Sequence, residues 1–163
     1  MKNNWEAEPV VSKVMKVNDD WMDYNGHLNM AYYNVLFDTA CDHVFEKIGL
    51  GHDYAKTRNA SYFTAEVHVC YVRELGAGMP VTVSLQLVDF DEKRAHFYQE
   101  LRHAEEGWLS ATSEQMSLHV DLEARKVVPW PEDIHASLQE MANAHSKLPR
   151  PERAGRHIGI RKK

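Results

Sequence analysis

Cysteine is scarce in this chain. Only Cys41 and Cys70 occur among 163 residues, too few and too far apart for a disulfide framework. They suit a reducing compartment, so a cytoplasmic protein is expected. No apolar run approaches the ~20 residues of a membrane-spanning helix. Residues 1–6 lack the apolar core of a secretory signal. No membrane association is therefore expected. Positive charge is not in surplus either. A net charge of −5 argues against a general nucleic-acid binder. Ser61 and Ser110 lack a G-x-S-x-G elbow, and no glycine loop is built to cradle phosphate. The 10 histidines include no pair in the spacing and company of a zinc site. No metal and no cofactor are expected.

What is present suits one domain with a full core over residues 1–163, with 1–8 and 149–163 as flexible tails. Hydrophobic residues make up 44% and charged residues 26%, ordinary for a globular chain. Residues 9–18, with Val10, Val11, Val14 and Val17, read as a first strand. From Asn29 to Ile48 the pattern turns helical, with Tyr33, Leu36, Phe37, Ala40, Val44 and Ile48 at spacings of three and four. Gly49 and Gly51 end it. Few charges for that length predict a helix covered on more than one side. Residues 52–60 read as a polar connection or a short helix. The period then changes to two. Four strands follow, over 62–71, 81–87, 95–102 and 109–120, and short turns between them predict an antiparallel meander. Pro131, with Glu132 and Asp133 behind it, opens a last helix carrying Ile134, Leu138, Met141 and His145. The expected fold class is α+β: a curved antiparallel sheet wrapped around one long central helix, with an extra C-terminal helix.

The informative stretch is Trp21-Met22-Asp23-Tyr24-Asn25-Gly26-His27-Leu28-Asn29, which joins the first strand to the long helix. Asp23, Asn25 and His27 follow one another at spacings of two and can share one loop. Gly26 lets backbone approach a ligand. Asn29 is a good N-cap, so free N–H groups of a helix start point into the loop. A carbonyl suits such a place. Backbone N–H groups can hold its developing negative charge, and the carboxylate can attack it or activate water. Each residue taken singly also has a bland reading, since Asp, Asn and Gly are ordinary turn and cap residues.

Asp23 followed three residues later by Gly26, at the mouth of the central helix, resembles the 4-hydroxybenzoyl-CoA thioesterase-like group of hotdog-fold thioesterases. The Asp-x-Asn-x-His pattern of Asp23, Asn25 and His27, with Arg73-Glu74 near the end of the next strand, is similar to that of plant acyl carrier protein thioesterases. The run from Trp21 to Asn29, followed by Tyr32-Tyr33, looks like thioesterases of carnitine breakdown, which act on betainyl-CoA. The resemblance implies a hotdog fold and hydrolysis of a small acyl-CoA. It implies Asp23 as nucleophile or general base, the Gly26 N–H at the thioester carbonyl, Asn25 and His27 in support, and Asn29, Tyr33, Arg73 and Glu74 as substrate-binding residues. It also implies a homodimer or homotetramer, because one copy leaves a strand edge and a helix face open. Two other classes compete: a non-catalytic acyl-CoA binding module, and a hotdog hydratase or dehydratase.

Overall fold

A computed structural model of the chain describes residues 5–160. Of the expected tails, residues 1–4 and 161–163 lie outside the described residues. The elements in chain order are β1 (Val10–Val11), β2 (Met15–Lys16), α1 (Met30–Ile48), α2 (Tyr54–Arg58), β3 (Ala60–Tyr71), β4 (Pro80–Phe90), β5 (Arg94–His103), β6 (Leu109–Asp121), β7 (Lys126–Val127) and α3 (Glu132–His145). The expected first strand is two short pieces, β1 and β2, both antiparallel to β4. The break between them falls where the Ser12 hydroxyl accepts the Val83 N–H in place of a ladder carbonyl.

The sheet order is β1-β4-β5-β6-β3, with all pairs antiparallel. Here the meander expectation is corrected. β4, β5 and β6 are consecutive neighbours, but β3 pairs with β6 and not with β4. The physical reason lies in the connection over residues 72–79, which carries the chain from one margin of the sheet to the other. Leu75, fully buried within it, packs with Leu36 and Phe37 of α1, and its carbonyl accepts the Leu28 N–H at 2.8 Å. A sheet curled around a helix brings its two margins close enough for eight residues to join them.

α1 has the expected bounds. Asn29 caps it by accepting the Ala31 N–H on its side chain, and Gly49, at φ +102°, ends it. One face, including Tyr33, Leu36, Phe37, Cys41, Phe45 and Ile48, is buried against the sheet. Within one chain the opposite face stays open and exposes Met30 and Val35. α3 buries Ile134, Leu138, Met141 and His145 against the margin of the sheet, so its stripe reads as expected. The segment after α3, expected to be loose, crosses the outer face of the sheet. Pro149 accepts from Gln86 on β4, and the Gly155 N–H donates to the Glu114 carboxylate at 2.8 Å on β6.

Candidate active site

The loop ahead of α1 closes on itself. Met22 and Leu28 form an antiparallel bridge, and the Asp23 N–H donates to the His27 carbonyl at 2.8 Å. Inside that closure the Asn25 and His27 N–H groups both donate to Asp23 Oδ1, at 2.8 and 3.3 Å. Asparagine and aspartate favour such side-chain-to-backbone turns. Here the result is a half-buried carboxylate with one oxygen fixed. Oδ2 makes no hydrogen bond among the described residues. Gly26 sits at φ +76°, the left-handed region that glycine enters without penalty. Its N–H donates to the Asp23 carbonyl at 3.0 Å, so in this conformation it is committed to the turn. The remaining donors are those at the start of α1. Met30, its first residue, has no intrahelical acceptor for its N–H.

Asp23, Tyr33, Arg73 and Glu74 come together. With Leu28, Met30, Tyr71 and Val72 they line a concavity of about 300 Å³. The Arg73 backbone is pinned to β6. Its N–H donates to the Ser110 carbonyl at 3.0 Å, and its carbonyl accepts the Ser110 hydroxyl at 2.7 Å. Its guanidinium lies 4.0 Å from the centroid of the Trp108 ring, a cation–π contact. Tyr33 is buried beside it, and burial pushes its phenol up from the ordinary value. Asn25, Gly26 and His27 stand on the exposed rim of the loop rather than in the concavity, and Asn29 is used as the helix cap. Among the described residues, no group of three His, Cys, Asp or Glu is placed to hold a metal.

Sequence reasoning missed Tyr71, whose hydroxyl donates to the Met30 carbonyl at 3.0 Å and whose ring meets Tyr33 edge-on. It also missed Trp108 as the platform for Arg73. The only available signal for Tyr71 was its place at the end of the alternating strand. Trp108 is 35 residues away from Arg73 in sequence, and no spacing ties the two together. Glu66 and His68 share a strand face and open onto a separate cavity on the outer side of the sheet, with His96 and Glu114. Cys41 is no rival nucleophile. It is buried, and burial pushes its thiol up to about 12.

A family model described as the thioesterase-like superfamily matches residues 17–138, which include the loop, α1 and strands β3 to β7. The chain belongs to that superfamily. It is 42% identical over 144 residues to an L-carnitine dehydrogenase/betainyl-CoA thioesterase of Rhizobium meliloti, covering 88% of this chain and 29% of that protein. The chain thus spans under a third of the length of that bifunctional relative. A betainyl-CoA thioesterase of Pseudomonas aeruginosa is 38% identical over 141 residues, covering 86% of this chain and 89% of its own. Among solved structures, a Staphylococcus aureus protein determined in complex with CoA superposes with a TM-score of 0.84 at 27% identity, covering 98% and 99% of the two chains. A thioesterase-type protein of Pseudomonas putida superposes at 0.80 with 34% identity, covering 94% and 98%. The fold of this superfamily member is the hotdog fold, the sheet curled around α1.

Proposed function

We propose that this superfamily member hydrolyses a small acyl-CoA thioester to the free acid and CoA, with betainyl-CoA as its substrate. The observation that carries the reading is the Asp23 carboxylate, fixed through Oδ1 by two backbone N–H groups and bare at Oδ2, at the edge of a concavity beside the start of α1. Support for the acyl group comes from the relatives named for betainyl-CoA.

In this reading the thioester carbonyl oxygen points at the N-terminus of α1, where the Met30 N–H and the helix dipole meet developing negative charge. The turn around Gly26 supplies shape rather than a donor. Asp23 Oδ2 attacks the carbonyl carbon directly, or takes a proton from water as that water attacks. In either route the C–S bond breaks and CoA leaves as a thiolate that gains a proton; in the first, the acyl group stays on Asp23 as a mixed anhydride, which water then hydrolyses to the free acid and the regenerated carboxylate. His27, on the rim, is placed to steady the thiolate, and Asn25 to orient the water. Arg73, spread over Trp108, offers its guanidinium to the phosphates of CoA. The two thiols suit a cytoplasmic enzyme.

The working unit is a homodimer. β3 ends the sheet path and exposes Phe63, Val67 and Tyr71 at 52%, 42% and 46%. A bare twelve-residue edge with apolar side chains is an invitation to pair. An antiparallel copy of the same strand satisfies it by two-fold symmetry.

The test is thiol release from betainyl-CoA and a panel of short-chain, long-chain and benzoyl-type thioesters, run on wild type and Asp23→Asn. Wild type is expected to turn over betainyl-CoA, with a loss of at least about 10²-fold in the variant, the scale set by removing one transition-state group. Near wild-type release by Asp23→Asn would sink the mechanism. Binding of the thioesters without release would leave a binding module instead.

A further inference from the structure

A second concavity lies along the same margin of the molecule and is not needed for Asp23 chemistry. Its volume is about 610 Å³. One wall is the C-terminal half of α1, which presents Asp38, Asp42 and Glu46 one turn apart. The facing wall carries Tyr54, Tyr62 and Phe63. The Tyr62 ring is held in place against Phe45, with centroids 4.0 Å apart. Burial, and then the neighbouring Asp42, push the Asp38 carboxyl up from its ordinary value. Rings and carboxylates in one cavity attract a cation that makes no hydrogen bonds, since the ring faces and the anionic charge need no donor from it.

Within one chain this cavity is remote from the reaction loop. Asp38 stands eight residues beyond Met30, a rise of about 12 Å along the helix. Two-fold pairing of β3 changes that. The midpoint of Ala60–Tyr71 falls between Ala65 and Glu66, so an antiparallel copy centred there sets Tyr71 opposite the partner's Ala60. Val69 then faces the partner's Tyr62. Tyr71 lines the Asp23 concavity, and Tyr62 lines the acidic one. In such a pair each reaction loop would abut the other subunit's acidic and aromatic cavity, giving two composite clefts.

We propose that this cavity receives the quaternary ammonium head of the acyl group, and that it serves the Asp23 of the neighbouring subunit. The proposal rests on the thioesterase reading and deepens it. A betainyl group is short, so its head must lie close to the thioester carbonyl, and a wall supplied across the two-fold can reach it. Asp38, Asp42 and Glu46 neutralise the charge, and Tyr54, Tyr62 and Phe63 shelter the methyl groups. None of these six performs chemistry. They decide which acyl group is accepted.

The experiment compares betainyl-CoA with 3,3-dimethylbutanoyl-CoA, which has the same shape with carbon in place of the charged nitrogen. Wild type is expected to favour the cationic thioester by at least about tenfold in kcat/KM. Asp38→Asn and Asp42→Asn should each cut that ratio several-fold, chiefly through the KM of the cationic substrate. Tetramethylammonium chloride should compete with betainyl-CoA in wild type more strongly than equal sodium chloride. Equal treatment of the two thioesters by wild type, or an unchanged ratio in both variants, would overturn the cation site. Mixing Asp23→Asn with Asp42→Asn subunits tests the shared cleft. A mixed dimer restores one intact site, about a quarter of all sites after random exchange. No recovery of cation-selective turnover would overturn the arrangement across the two-fold. Wild type that releases thiol from neither substrate would instead strike the thioesterase reading itself.

Discussion

Gly26 shows how one residue can matter through backbone alone. At φ +76° it has nothing within 4 Å of where a Cβ would stand, so a substitution there meets strain and not a clash. Gly26→Ala is expected to cost about 1–2 kcal/mol in folding free energy, the scale of a left-handed conformation for an L-residue. Thermal unfolding measures it. Gly26→Asn should recover much of the loss, because asparagine tolerates that conformation. An equal drop in Tm for both variants would show that the cost is not conformational. Because the same turn positions Asp23, thiol release should fall along with Tm in the alanine variant. The grouping at this scale was legible from spacing: Asp23, Asn25 and His27 do share one loop. What spacing could not assign was the hydrogen bonding. Asn25 and His27 reach Asp23 through their backbone N–H groups, which any residue type would supply.

Elements are joined here by polar groups that finish one another's hydrogen bonding. β1 covers β4 only at Ser84 and Leu85, so the N–H of Leu87 further along that margin needs another acceptor. His145, at the end of α3, provides it through Nδ1 at 2.9 Å. A backbone N–H can only donate, so the ring must be neutral at Nδ1. Burial holds its pKa below the ordinary 6.5. The unfolded chain therefore binds the proton first. This contribution to stability is fully present above pH 6.5 and is lost as pH falls through that value toward the lower folded pKa. The urea midpoint of wild type should drop between pH 8 and pH 5.5 by more than that of His145→Gln, which keeps an acceptor and does not titrate. Identical pH dependence in the two proteins would rule the histidine out as the cause. At this scale α1, α3 and the long strands were legible because hydrophobic period and caps are local. The placement of β3 beside β6 was not, because strand order depends on which free edge the connection over residues 72–79 can reach.

The whole molecule leaves one margin unfinished. β3 offers its outer edge with Phe63, Val67 and Tyr71, and α1 offers Met30 and Val35. A lysine on that edge opposes pairing without touching the interior. Val67→Lys is expected to shift the protein from dimer toward monomer in light scattering and to lower thiol release in parallel, while circular dichroism stays that of the wild type. Full activity in a monomeric variant would contradict a shared cleft.

The sequence by itself determined the period of each element, the glycine and asparagine that bound α1, and the set of polar residues gathered between Trp21 and Asn29. Each of these is set by neighbours a few residues apart, where propensity and side-chain chemistry act directly. Only the tertiary structure decided that Arg73 and Glu74 meet Asp23, that Trp108 carries Arg73, and that an acidic helix face and three aromatic rings enclose one cavity. Those contacts join residues up to 51 positions apart. They exist because a curled sheet brings its margins together around a helix, and no local pattern encodes where that closure falls.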